Sequence, residues 1–264
     1  MERKDVIRQV VNVAAVIGTI VLNGLANALP LNGLTTGEIS DRFDVYFVPA
    51  GYVFSIWGLI YLGLVGFAIY QALPAQRDNA RLRRVGYLFA LSCGANVAWL
   101  FLWHYEQFVW TLAAMFLLLL SLILIYLRLG IGRSAVSSAE RWLVRVPFSV
   151  YLGWVTVATI ANVTSVLDYV NWSGWGIGPQ VWAVIMLVVG VGVATAVGFT
   201  RGDVAYMLVI VWAFAGIGIK HAATPTVAIA AWVATALVIL AIGASMLWQR
   251  AKQRTIHISL GPNP

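Results

Sequence analysis

Aromatic and amide side chains recur at helical spacing in three apolar segments of the sequence. Residues three or four positions apart lie on one face of a helix, so each set forms a single stripe. The stripes comprise Phe54, Trp57 and Tyr61; Asn96 and Trp99; and Tyr151, Trp154, Ala158 and Asn162. Flat aromatic faces with a few amide groups are typical of a pocket for a flat apolar ligand. Aromatic packing with hydrogen bonding between helices is the alternative interpretation, and the stripes alone leave both open.

Residue arrangements that would support catalysis or metal binding do not stand out in the sequence. The histidines, His104, His221 and His257, lie apart from one another, and Cys93 is the single cysteine. We find no nucleophile–base pair, no metal-ligand spacing and no phosphate-binding loop. We therefore expect no catalytic residue and no metal ligand, and an enzymatic role is the least favoured of the functions considered.

The composition predicts a membrane protein. Hydrophobic residues make up 61% of the 264 residues and charged residues only 10%, and the mean hydropathy is +0.86. A soluble domain carries about 25% charged residues, so it could not cover this much apolar surface. The net charge of +7 comes from short basic clusters between apolar runs, a pattern that orients membrane helices and excludes a nucleic-acid partner.

The lengths of the apolar runs predict an all-α fold of eight transmembrane helices. A helical span needs roughly 20 mostly apolar residues. The predicted spans lie near residues 8–29, 50–73, 84–103, 108–129, 147–168, 179–200, 204–220 and 226–248.

The distribution of basic residues predicts the direction of insertion. With the N-terminus inside, fifteen of the seventeen lysines and arginines fall in cytoplasmic segments, and only Arg42 and Lys220 lie outside. Positively charged loops stay on the cytoplasmic side. We expect an integral protein of a bacterial inner membrane with both termini in the cytoplasm.

Tryptophan is unusually frequent, with twelve residues in the chain. Tryptophans near the ends of spans commonly form a belt at the membrane surface. We assign six of them to such a belt: Trp103, Trp110, Trp142, Trp172, Trp175 and Trp248.

Three sequence motifs lie on the same segments as the stripes. Residues 49–61 read Pro-Ala-Gly-Tyr-Val-Phe-Ser-Ile-Trp-Gly-Leu-Ile-Tyr, and residues 96–99 read Asn-Val-Ala-Trp. Residues 151–162 read Tyr-Leu-Gly-Trp-Val-Thr-Val-Ala-Thr-Ile-Ala-Asn. In this order on consecutive spans, the motifs resemble those of the TspO/MBR family, the tryptophan-rich sensory proteins that include the mitochondrial translocator protein.

The resemblance implies a five-helix transmembrane bundle over residues 1–172 with a pocket between spans two, three and five. Residues 173–264 then form a three-helix extension with a short cytoplasmic tail. TspO-like proteins bind porphyrins and related tetrapyrroles, and some bind sterols. By motif position, the implied ligand-binding residues are Pro49, Phe54, Trp57, Tyr61, Asn96, Trp99, Tyr151, Trp154, Ala158 and Asn162.

The sequence departs from the family pattern at three places. One residue fewer than usual separates Phe54 from Trp57, a spacing that would rotate Phe54 away from the pocket. Residues 35–41 replace the Trp-Tyr pair of the loop after span one, so the segment that covers the pocket must differ. The family's cholesterol-type motif is missing after Asn162, which argues against sterol binding.

The expected function is binding or sensing of a flat hydrophobic ligand, with a tetrapyrrole as the leading candidate. No cofactor is required, although a bound tetrapyrrole or lipid fits the pattern. The alternatives are a passive carrier of such a ligand and a structural or pigment-associated subunit of a larger membrane complex. The expected partners are membrane lipid and the ligand itself, and either a homodimer or a larger membrane complex is compatible with the sequence.

Overall fold

The computed structural model describes residues 3–29 and 31–259, without the side chains of residue 27 and residues 253–259. Every regular element in this part of the chain is a helix. Eight long helices, α1 to α8, span Arg3–Ala28, Ile56–Ala72, Leu88–His104, Phe108–Arg128, Val146–Tyr169, Pro179–Arg201, Val204–Lys220 and Pro225–Ser259. Each of them overlaps one predicted span. Shorter helical turns lie at Leu31–Gly33, Thr36–Ser40, Gly51–Ser55, Pro74–Gln76, Ala80–Val85, Ser138–Glu140, Arg141–Arg145 and Gly174–Gly176.

The lengths of these helices decide which of them can cross a bilayer. Among the described residues, six helical segments are long and apolar enough: Arg3–Ala26, Gly51–Ala72, Phe108–Arg128, Ser138–Tyr169, Pro179–Arg201 and Pro225–Lys252. Helices α3 and α7 are apolar but have 17 residues each. At 1.5 Å per residue they reach about 25 Å, whereas a hydrocarbon core is about 30 Å thick. The all-α membrane class is confirmed, while the count of eight spans, the orientation and the bacterial inner membrane stay predictions.

The first five long helices pack in a closed ring. Helix α1 contacts α2 and α3, α3 contacts α4, α4 contacts α5, and α5 returns to α2. Helices α6, α7 and α8 contact one another, and α7 also packs along α5. The ring places α2 and α5 side by side and α3 across from them, so the three helices that carry the stripes surround one interior.

A tight turn between α6 and α7 sets the direction of the last helices. Gly202 ends α6 with a φ of 64°, a left-handed conformation that glycine adopts without steric cost. The Asp203 carboxylate then accepts a hydrogen bond from the Tyr206 backbone N–H at 3.1 Å and caps α7. The chain therefore reverses within two residues, and α7 returns directly beside α6.

Small residues on α6 permit its close contact with α7. Gly190, Ala194 and Gly198 are all buried at this contact. A Cβ atom added at Gly190 would lie 2.5 Å from Cζ of Phe214, and one at Gly198 would lie 2.6 Å from Sδ of Met207. A larger residue at either position would therefore displace the Phe214 ring or the Met207 side chain if the helices kept this distance.

Candidate functional site

The structure brings seven of the ten predicted ligand-binding residues around one cavity. They come from the start of α2, from α3 and from α5: Pro49, Phe54, Trp57, Trp99, Trp154, Ala158 and Asn162. The cavity has a volume of about 60 Å³. Ligand pockets for drug-sized molecules usually measure roughly 300–1,000 Å³, so the cavity in this conformation is too small for such a molecule.

Phe54 faces the cavity, contrary to what its spacing to Trp57 suggests. Residues Gly51–Ser55 form a 3₁₀ helix before α2 begins at Ile56. A 3₁₀ helix has three residues per turn instead of 3.6, so it advances each side chain further around the axis. This tighter winding offsets the shortened spacing, and the Phe54 ring contacts Trp154 edge-on with centroids 5.7 Å apart.

Trp154 is the centre of the aromatic wall. Its ring also contacts the Trp57 ring edge-on with centroids 6.2 Å apart, and the residue is only 2% exposed. On the opposite wall, Trp99 stacks on Trp103 with centroids 5.4 Å apart and an angle of 18° between the planes. Edge-to-face and offset-stacked pairs are the favoured arrangements of aromatic rings. The cavity therefore has well-packed aromatic walls on two sides.

The indole N–H of Trp154 has no hydrogen-bond partner among the described residues, although it is buried. Of the other three tryptophans that line the cavity, Trp99 and Trp103 have an acceptor for the indole N–H. Trp99 donates to the Asn162 side-chain oxygen at 3.0 Å, and Trp103 donates to the Thr36 carbonyl at 3.2 Å. A buried donor without an acceptor is rare and costly, and because Trp154 lines the cavity, this N–H is a candidate donor to a molecule bound there.

Asn162 connects three helices as well as lining the cavity. Its side-chain oxygen accepts the Trp99 hydrogen bond from α3, and its side-chain nitrogen donates to the Thr111 hydroxyl of α4 at 2.8 Å. The side chain is 4% exposed. These bonds show that Asn162 joins α5 to its neighbours, which is the structural alternative that the sequence left open.

Three predicted site residues, Tyr61, Asn96 and Tyr151, do not line the cavity. Asn96 accepts a hydrogen bond from Asn23 at 2.8 Å and donates one to the Tyr151 hydroxyl at 3.2 Å. Asn96 and Tyr151 are each 1% exposed. Trp57 separates this buried polar cluster from the cavity. Its ring stacks on the Tyr61 ring with centroids 5.5 Å apart and contacts the Tyr151 ring edge-on with centroids 6.0 Å apart.

Eight further residues line the cavity without having been predicted: Thr36, Ser40, Val48, Trp103, Met115, Val157, Ala161 and Ser165. Ala161 and Ser165 continue the α5 stripe at helical spacing, so extending the period would have found them. The assignment of Trp103 to the membrane-surface belt is wrong, because it is 3% exposed and packs beside Trp99 one turn away. Trp110, Trp142, Trp175 and Trp248 are each more than half exposed, as the belt requires.

The segment between α1 and α2 covers the cavity. Its short helix, Thr36–Ser40, begins with a capping box in which Thr35 and Glu38 exchange hydrogen bonds. The Thr35 backbone N–H and hydroxyl donate to the Glu38 carboxylate and hold its pKa below the ordinary value. Ile39 anchors the cover, since it is 1% exposed and packs in a cluster with Trp103.

Two exposed ion pairs attach this cover to the rest of the protein. A guanidinium nitrogen of Arg42 lies 2.5 Å from a carboxylate oxygen of Glu106, and the ammonium nitrogen of Lys220 lies 2.7 Å from a carboxylate oxygen of Asp41. The Glu106 carboxylate raises the pKa of the Arg42 guanidinium. Exposed ion pairs contribute little to stability, so the buried Ile39 contributes more to closure than either pair.

Helix α7 holds the start of α2, where the cavity begins. The Ala50 backbone N–H donates to the Gly216 carbonyl at 3.1 Å, and the Trp212 indole donates to the Val53 carbonyl at 3.1 Å. A Cβ atom on Gly216 would overlap the Val53 side chain and lie 3.1 Å from Cβ of Pro49. The C-terminal helices therefore position residues of the cavity directly.

The fold and the cavity together define an all-α integral membrane protein with a covered aromatic cavity in its helix bundle. The chain matches the model of the TSPO-like protein family over residues 9–244 and belongs to that family. The match confirms the resemblance seen in the motifs, and it continues through α6, α7 and most of α8 beyond residue 172. Membership indicates a membrane protein with a sensory or ligand-binding role in general terms. No curated protein and no solved structure matches the chain.

Proposed function

We propose that this protein binds and senses a flat hydrophobic ligand, with a tetrapyrrole as the leading candidate, in the cavity between α2, α3 and α5. The proposal rests on the unpartnered indole N–H of Trp154 in a cavity walled by aromatic rings. A ligand acceptor would satisfy this donor, while Phe54 and Trp57 would contact the ligand's flat face. Membership of the TSPO-like family supports a ligand-binding role of this kind.

The small volume of the cavity implies that the ligand binds an opened form. A tetrapyrrole is far larger than 60 Å³, so the Thr36–Ser40 cover and the adjacent rings must move before it can enter. A minor conformation a few kcal/mol above the main one is populated at about 0.1–10%. Ligand binding would select this open form, and the displaced cover would be the change that a partner could sense.

Titration with protoporphyrin tests the proposal. The purified protein in detergent is titrated while tryptophan fluorescence and the porphyrin absorption band are followed together. We expect saturable quenching with one site per chain. Trp154→Phe keeps a ring but removes the N–H donor, and the loss of one hydrogen bond of about 1 kcal/mol would weaken binding about fivefold.

The matched control is Trp248→Phe. Trp248 lies on α8, is 56% exposed and does not line the cavity. This variant removes an indole of the same kind, so it should bind protoporphyrin as the unaltered protein does. Absence of saturable quenching, or equal affinity in Trp154→Phe and Trp248→Phe, would reject the proposed site.

The two alternative functions predict different results with the same protein. A carrier would move porphyrin into liposomes faster than it enters empty vesicles, whereas a sensor would bind porphyrin without such a flux. A pigment-associated subunit would be purified from its native membrane together with pigment and partner chains.

A further inference from the structure

A second and larger cleft lies between α2, α5 and α7, away from the aromatic cavity. Its volume is about 1260 Å³, and its end wall is the loop that follows α4, residues 131–135. The two spaces have no lining residue in common. The cleft therefore requires an explanation separate from that of the aromatic cavity.

The cleft is strongly basic at the end near this loop. Four arginines line it, Arg133, Arg141, Arg145 and Arg201, against one carboxylate, that of Asp203. Among the described residues, none of the four arginines has a carboxylate oxygen within 4 Å.

Asp203 forms no ion pair with these arginines, and its oxygens accept hydrogen bonds from uncharged groups instead. One oxygen accepts from the Tyr206 backbone N–H. The other accepts from the Tyr126 hydroxyl at 2.9 Å and the Ser149 hydroxyl at 2.6 Å. With four arginines and one carboxylate in its lining, the cleft keeps an excess of positive charge.

Arg145 is the most informative of the four, since it is only 8% exposed. Its terminal nitrogens donate to the Ser134 carbonyl and hydroxyl and to the Leu129 carbonyl, all of which are uncharged. Its Nε–H is buried without a hydrogen-bond partner among the described residues. Buried charges in proteins are normally paired with an opposite charge, so an arginine held in this way favours an anion in the cleft.

The close contact of two distant segments gathers the arginines. Gly132 has a φ of 76°, and a Cβ atom there would overlap the backbone of Arg201. The Arg201 guanidinium also donates to the Ile131 carbonyl at 3.4 Å. This glycine contact brings the loop after α4 against the end of α6 and places Arg133 near Arg201.

The rest of the cleft is an apolar wall along the membrane-spanning part of the protein. Leu59 is 58% exposed and Leu208 is 53% exposed, so in a bilayer both face acyl chains. On α7 the wall extends from Val204 to Trp212, nine residues over which the helix rises roughly 12 Å. A basic end joined to a long apolar wall is complementary to a molecule with an anionic head and a hydrocarbon tail.

We infer that this cleft binds an anionic phospholipid. The guanidinium groups of Arg145, Arg133 and Arg141 hold the phosphate head, and an acyl chain lies along Leu59 and Leu208. Arginine suits a phosphate group because its planar donors can form paired, charge-assisted hydrogen bonds with the phosphate oxygens. Basic pockets between transmembrane helices are known sites for anionic lipid heads.

The experiment measures lipid binding to the delipidated protein in neutral detergent. Phosphatidylglycerol, phosphatidylcholine and inorganic phosphate are each titrated, and binding is followed by native mass spectrometry and by the midpoint of thermal unfolding. We expect phosphatidylglycerol to bind saturably and raise the midpoint. Phosphatidylcholine should bind much more weakly, and inorganic phosphate should bind only at far higher concentration because it lacks the acyl chains.

The test variant is Arg133→Gln with Arg141→Gln, since both side chains are exposed and their replacement should leave the fold intact. Each arginine near an anionic lipid contributes about a fivefold gain in affinity, so the double variant should bind phosphatidylglycerol about 25-fold more weakly. The control is Arg250→Gln with Lys252→Gln, which removes two exposed charges outside the cleft and should leave binding unchanged.

Three outcomes would overturn the inference. An equal loss of phosphatidylglycerol affinity in the two double variants would mean that lipid binding depends only on the total charge of the protein. Equal binding of inorganic phosphate and phosphatidylglycerol would assign the cleft to a free anion. Displacement of phosphatidylglycerol by protoporphyrin would assign it to tetrapyrrole carboxylates. Failure of porphyrin binding in the aromatic cavity would not affect these measurements, so the two proposals can fail separately.

Discussion

Replacing Gly216 with alanine should destabilise the protein, although alanine is the better helix former. The added Cβ atom would overlap the Val53 side chain and lie 3.1 Å from Cβ of Pro49. Val53 is fully buried, so it has no free space to enter. Its carbonyl is also held by the Trp212 indole, and the Ala50 N–H is bonded to Gly216 itself. These hydrogen bonds oppose a shift of the backbone from Pro49 to Val53 away from α7.

The expected size of the effect follows from two opposing contributions. Forcing an extra methyl group into a well-packed contact costs about 1–3 kcal/mol. Replacing glycine by alanine within a helix gains about 1 kcal/mol. We therefore expect Gly216→Ala to lose up to about 2 kcal/mol of unfolding free energy, and to be about 1–3 kcal/mol less stable than a glycine-to-alanine variant without the overlap. Because Pro49 and Phe54 begin the cavity wall, protoporphyrin binding should also weaken.

Gly192→Ala is the matched control, because it makes the same substitution inside α6. Gly192 is exposed, and an added Cβ atom there would have no neighbour within 4 Å. This variant should keep its stability or gain up to about 1 kcal/mol. Reversible unfolding in mixed detergent, followed by circular dichroism, measures both. If Gly216→Ala is as stable as Gly192→Ala, Gly216 of α7 does not pack tightly against Val53 and Pro49 at the start of α2. The proposal that α7 positions this part of the cavity wall would then be refuted.

Two further predictions concern buried polar groups. Asn162→Leu should lose about 1–3 kcal/mol of unfolding free energy, because the buried Trp99 indole N–H loses its acceptor. Thr164→Val, on the same helix, breaks only a bond to the Ala161 carbonyl and should change stability by less than about 0.5 kcal/mol; equal losses would contradict the role of Asn162. Burial, and then the charge of Lys220, lower the pKa of His221 below its ordinary value of 6.5. The unfolded chain therefore binds the proton more tightly, so this contribution to stability is complete above pH 6.5 and is lost as the pH falls below it. Unfolding measured at pH 7.5 and 5.5 should show a smaller decrease in His221→Gln, and an unchanged decrease would exclude His221 as its source.

Local patterns in the sequence were sufficient to predict the helices. The turn between α6 and α7 combines glycine and aspartate in the order that ends one helix and caps the next, so its position follows from adjacent residues. The α5 stripe from Trp154 to Asn162 likewise depends only on the helical period. Such features could be predicted because the interactions that produce them join residues only a few positions apart.

The composition of the candidate site could be predicted only in part. Seven residues meet as the motifs imply, whereas Asn96 and Tyr151 bond to each other behind Trp57. The small rotation of one helix against another decides whether a residue at the edge of a stripe faces the cavity or a neighbouring helix. That rotation depends on packing across the whole ring and has no signature in a single helix.

The sequence by itself determined the membrane class, the positions of the helices and the faces on which the aromatic residues lie, because hydropathy and helical period are local properties. Tertiary structure alone decided that Trp103 lines the cavity, that the cavity is small and that α7 holds the start of α2. It also decided that Arg133, Arg145 and Arg201 share one cleft. These features arise from contacts between residues far apart in the chain, whose distances are set when the helices pack together.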